Sequence, residues 1–138
     1  MRYLVALERV FYSLIFIAGG PGHFSHQEIA YAALRGVPIA TILLPVSGIM
    51  AIVGGLSILL GFHGKVGAWL LALLLVPVTF MMHNFWAVKD PIMLQFQMAM
   101  FLKNISMFGA ALFFTQVGTG PLIWSSNVRS QAVSGFRV

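Results

Sequence analysis

Phe80-Met81-Met82-His83-Asn84-Phe85-Trp86-Ala87-Val88-Lys89-Asp90-Pro91 closes one long apolar run and leads directly into another. The run before it begins near Val66, the run after it at Ile92. Each reaches the ~20 residues that a helix rising 1.5 Å per residue needs to cross a bilayer. The stretch between them puts a histidine, an asparagine and a tryptophan where a helix should leave the membrane. Two such runs joined by so short a turn form an antiparallel pair. The second run also carries Gln95, Gln97, Lys103 and Asn104. In hydrocarbon each buried polar group costs free energy unless a partner satisfies it. The rest of the chain reads as a scaffold that presents these groups to one another.

Working outward, the composition fits only a membrane protein. The 138 residues are 59% apolar and 8% charged, with a mean hydropathy of +0.94. A soluble domain carries about 25% charged residues, so this chain could not cover a water-facing surface. There are no cysteines, which removes disulfides, thiol relays and iron–sulfur ligation from the protein itself. The net charge of +5 suits anionic lipid headgroups. No basic run with interleaved aromatics argues for nucleic acid.

The fold expected is all-α, a four-span bundle over residues 1–125, with a polar, flexible tail over 126–138. The spans are placed at Arg2–Ala18, Pro38–Leu60, Val66–Phe85 and Ile92–Val117. Glu8 and Arg9 lie early in the first span and no cleavage site follows it, so it reads as retained and not as a signal peptide. Gly19-Gly20-Pro21-Gly22 ends it. Ser25 with Glu28 three residues on makes a capping box, and Gly36 sits where a helix C-cap would. A short interfacial helix is therefore expected over His26–Arg35, with Ile29, Ala32, Ala33 and Leu34 on the interface and His26, Gln27 and Arg35 in water. Pro38 suits the first turn of the second span.

Ser47-x3-Ala51-x3-Gly55, with Gly54 beside it, and Gly64-x3-Ala68-x3-Ala72 are stripes of small residues that let helices approach closely in lipid. Gly61–Lys65 is a tight connection, which makes spans two and three a hairpin. Pro45 and Pro77 fall inside spans and are candidate kinks. Arg2, Lys65, Arg129 and Arg137 lie on one side, Arg35 and Lys89 on the other. The bias puts both termini in the cytoplasm. The localisation expected is the bacterial cytoplasmic (inner) membrane.

The polar groups each admit two readings. Glu8 lies about two turns into span one and Lys103 near the middle of span four. Their depths differ by on the order of 10 Å, within reach of an ion pair, with Arg9 joining it or snorkelling to the surface. That charge group is either a ligand or proton site or a structural pair that fixes register. Gln97, Phe101, Asn104 and Phe108 recur at helical spacing on one face. They read as hydrogen-bond glue between helices or, grouped with His83, as a polar pocket. His83, taken as the only histidine inside a span, is a ligand donor or a packing partner of Gln97. Trp86 reads as an interfacial anchor. His23 and His26 at i,i+3 lack a third ligand, so no metal site is assigned. His63 lies on the opposite side from His83, which argues against bis-histidine haem.

Glu8-Arg9 with Phe16-x2-Gly19, Gly36-Val37-Pro38, Ser47-Gly48 through Gly54-Gly55-Leu56 and Gly61, His83-Asn84-Phe85-Trp86, and Lys103-Asn104 with Gly109 occur in that order. Together they resemble the DoxX family of small bacterial membrane proteins, over about residues 3–124. The resemblance implies a four-helix transmembrane bundle. The family takes its name from a subunit of a thiosulfate:quinone oxidoreductase, and other members are linked to redox-stress complexes. Many relatives carry an acid just before the Gly-Gly of span two, where this chain has Ala51-Ile52-Val53. A proton or cation role for that acid is not carried over.

The function expected is a redox-associated membrane subunit that binds a quinone or similar lipophilic ligand near His83, Asn84, Gln97, Phe101, Lys103 and Asn104. No covalently bound cofactor is expected. Whether the chain is catalytic stays open. Expected partners are membrane lipids, with a redox protein or further copies of the chain as additional candidates. The rival is a non-catalytic lipid- or partner-binding scaffold in which the same groups are packing glue. A small-solute transporter is the third reading, weakened by the lack of an inverted repeat.

Overall fold

The computed structural model describes residues 2–120, and among them the chain is helix and connection with no strand. The expected tail over 126–138, with Arg129 and Arg137, lies outside the described residues. Helix α1 covers Arg2–Gly19 and α2 His26–Leu34. Helix α3 covers Ala40–Leu60, α4 Gly64–Met82 and α5 Pro91–Val117. Short 3-10 turns lie at Gly20–Phe24 and Phe85–Ala87. Four segments are long and apolar enough to cross a membrane: Tyr3–Phe24, Ala40–Leu60, Gly64–Ala87 and Pro91–Val117.

Two boundaries differ from expectation. Pro38 is not in the first turn of α3, which starts at Ala40 after Ile39 has turned to φ 42°. The third span leaves α-helix at Met82 and not at Phe85. Helix α1 ends at Gly19 as expected, and a 3-10 turn through Pro21 carries the apolar span on to Phe24. A proline tolerates the first turn of a helix, where its missing N–H has no partner to lose.

Local chemistry fixes the connector. Ser25 Oγ accepts from the Glu28 amide at 3.2 Å and caps α2. At the other end Gly36 (φ 85°) takes the left-handed position. Its amide donates to the Ala33 carbonyl and that of Val37 to the Ala32 carbonyl, a Schellman closure. Ala32 packs with Ala40 and Leu44, and Ile29 rests beside them. Ala33 and Leu34 are exposed, which leaves them free to rest on the interface. Arg35, expected in water, is half-buried: its Nη2 donates to the Met82 carbonyl at 2.6 Å, capping α4.

Helix α1 packs on α3, α3 on α4 and α4 on α5. The α3–α4 contact is a glycine contact. A Cβ on Gly54 would meet Leu71 at 2.7 Å, and one on Gly67 would meet Ser57 at 2.5 Å and the Gly54 carbonyl at 2.9 Å. On another face of α3, Gly55 admits Ile17 and Phe16, and Gly48 admits Gly20 and His23. The ring closes through Tyr12, whose hydroxyl donates to the Met107 carbonyl at 3.0 Å and whose ring lies 5.2 Å from that of Phe114. Phe16, Ile58, Leu71, Leu75 and Phe114 form the core.

Candidate functional site

One stripe of α1 turns inward: Arg9, Ser13 and Phe16 are buried at i, i+4, i+7. Glu8 is a residue earlier, about 100° round the helix, and shares the exposed face with Leu4, Phe11 and Ile15. Arg9 is 5% exposed. Its Nε donates to the Ile58 carbonyl at 2.9 Å, Nη2 to Leu59 at 2.5 Å and Nη1 to Thr119 at 3.3 Å. The last carbonyls of a helix have no partner within it, and a cation there also meets the negative end of the helix dipole. Arg9 thus closes the end of α3.

The other end of the bundle holds a cavity of about 140 Å³. Its polar lining is His23, His83, Lys103 and Asn104, and Phe16, Leu74, Leu75, Val78 and Met107 are among its apolar walls. The 3-10 turn after α1 brings His23 there, held close by Gly48. His83, the C-cap of α4, comes from the facing side. His23 Nδ1 lies 2.7 Å from Ser47 Oγ, and His83 Nδ1 lies 2.9 Å from Gln97 Oε1. Asn104 is 3% exposed, and its side-chain amide has no hydrogen bond to any described residue. Among the described residues Lys103 reaches only the Met100 sulfur, at 3.5 Å. Among the described residues no three histidine or acidic side chains come together as a metal site. The cavity combines hydrogen-bonding groups with hydrocarbon walls, and no carboxylate lines it.

A family model for DoxX matches residues 4–84, more than half of the chain. The chain belongs to the DoxX family. The match takes in α1 through the C-cap of α4, so both cavity histidines of this DoxX protein fall inside it. Lys103 and Asn104, on α5, fall beyond it. No curated protein and no solved structure matches the chain.

Of the six residues expected to hold a ligand, His83, Lys103 and Asn104 line the cavity. Gln97 is buried behind His83 as its hydrogen-bond partner. Phe101 belongs to an aromatic group outside the cavity, 5.5 Å from Phe80, 5.3 Å from Phe85 and 5.9 Å from Trp86. Asn84 is half-buried at the start of that turn, with Oδ1 buried and without a partner among the described residues. The Glu8–Lys103 ion pair does not form. Glu8 faces away from the bundle, and the Tyr12–Met107 bond puts Glu8 a turn to one side and Lys103 a turn to the other. Arg9 joins no such pair; it binds carbonyls. His83 is not the sole histidine within a span. His23 lies in the first span, and His26 is exposed. The signal for His23 was Ser47-Gly48, a hydroxyl beside the residue that gives the backbone room to approach.

Proposed function

We propose that the cavity of this DoxX protein holds the oxygen-bearing head of a lipophilic ligand, such as a quinone. Asn104 carries the reading. Its amide opens on the cavity without a hydrogen bond to any described residue, and beside Lys103 it offers donors to a ligand oxygen. The residues fit a six-membered ring: an engineered cavity of about 150 Å³ takes one benzene. Ile15 and Gly19 of α1 and Lys103 and Met107 of α5 line the cavity at the seam that Tyr12 bridges, which gives a ligand a way in from lipid. Mass spectrometry of small molecules retained after mild detergent extraction tests it. A ring-bearing lipophile is expected with the wild type and lost in Asn104→Leu and His83→Ala. A wild type that carries only bulk lipid ends the proposal.

A second reading has its own support. The His83–Gln97 bond joins the two side chains without a ligand, as packing glue would. Under that reading both variants retain the same lipids as the wild type. In either case we place the chain in the bacterial cytoplasmic membrane with both termini inside, on the Lys and Arg bias. Gln27→Cys, exposed on α2, should then react with impermeant thiol reagent in intact cells.

A further inference from the structure

The bonds made by Ser47 decide which hydrogen His23 carries. Ser47 Oγ lies 2.6 Å from the Leu44 carbonyl and 2.7 Å from His23 Nδ1. A hydroxyl has one proton, and a carbonyl only accepts. The proton therefore goes to Leu44, and Ser47 accepts from His23. Nδ1 carries the hydrogen, and in the neutral ring Nε2 keeps its lone pair. Ser47 does not line the cavity and His23 does. The ring turns Nδ1 away, and Nε2 is the polar atom it offers inward. His83 repeats the arrangement from the facing side. Its Nδ1 faces the Gln97 carbonyl oxygen, Gln97 is not a cavity wall, and Nε2 is left over. Neither Nε2 has a hydrogen bond among the described residues.

We infer that the cavity selects a ligand whose head carries a hydroxyl, donated to Nε2 of His23, with Ser47 as the positioning residue for that preference. The inference rests on the ligand reading above and names the chemical class. A ring hydroxyl donates to a histidine while its oxygen accepts from Asn104 or Lys103. A ring bearing only carbonyl or ether oxygens has no hydrogen for Nε2 and leaves the lone pairs unmet. The hydroquinone form is thus held in preference to the quinone form.

The test uses the full chain in detergent at about pH 8, above the ordinary histidine range. The probes are an alkyl-substituted hydroquinone, kept under argon, and its dimethyl ether, compared by equilibrium dialysis. The wild type should bind the hydroquinone at least about tenfold more tightly, the discrimination expected when a site built for a hydroxyl meets an analogue without one. Ser47→Ala frees the tautomer and should bring the two affinities to within about twofold. A merely structural role for Ser47 would weaken both probes equally and leave the ratio unchanged, which would overturn its assignment. Should Ser47→Ala not fold, His23→Phe, which keeps a flat ring without a lone pair, should lose the preference. Equal binding of both probes by the wild type overturns the inference and leaves the ligand reading standing. Binding of neither overturns both.

Discussion

The two ends of the bundle treat a buried polar side chain in opposite ways. At one end Arg9 spends its guanidinium on the carbonyls of Ile58, Leu59 and Thr119, and the helix end closes around it. At the other end Asn104, equally buried, lines a cavity without a partner among the described residues. A satisfied polar group fixes structure. An unsatisfied one calls for an explanation, which the proposed function supplies as a ligand. Under that proposal the difference separates architecture from function within one small bundle.

The sharpest way to break the comparison is Arg9→Leu. It leaves the Ile58, Leu59 and Thr119 carbonyls without their side-chain donor, so stability in detergent should fall by about 3–5 kcal/mol, read from chemical or thermal unfolding. Arg9→Lys keeps the charge but not the planar fork and should recover only part of the loss. A near-wild-type melting curve for Arg9→Leu would remove the architectural role. Next in size is Gly48→Ala. Its methyl group would lie 2.9 Å from the Gly20 carbonyl and from His23 Cβ. Overpacking of this kind costs about 1–3 kcal/mol, and it displaces the turn that carries His23, so ligand retention should fall with stability. An unchanged cavity would show that His23 is not held by that contact. Asn104→Leu should act in the opposite sense. Without ligand, removing an unpartnered amide should stabilise the protein by about 1 kcal/mol while retention is lost. Destabilisation would mean the amide is already satisfied. The smallest effect is expected from Glu8→Gln, which should leave the melting temperature unmoved. Its combination with Lys103→Met should add nothing beyond the lysine change, and a nonadditive pair would restore the ion pair the structure lacks.

How far the sequence could be read follows from the range of each interaction. The four spans were legible because hydropathy is a sum over ~20 residues. Ser25 with Glu28, and Gly36 at the end of α2, were legible because caps join residues three to five apart. Arg9 was legible as buried charge but not as a carbonyl clamp. Its partners are backbone atoms at remote positions, and nothing in a side-chain alphabet points to them. The Glu8–Lys103 pairing matched depths and signs, yet the rotation of one residue along α1 decides which charge faces in. His83 and Gln97 were brought together because one short turn links them. His23 was hidden by a 3-10 continuation through Pro21, where the usual reading of proline after glycine is a stop.

Thr119 lies 110 positions after Arg9, and Ile58 and Leu59 lie 49 and 50 after it. During synthesis the first helix enters the bilayer holding a cation whose acceptors have not yet left the ribosome. Until then the side chain can only reach back to the headgroups. The environment of that side chain in a nascent chain is therefore expected to differ from its environment in the finished protein. Arrested chains ending before Ile58 should show residue 9 near phosphate in cross-linking, and chains extended beyond Thr119 should not.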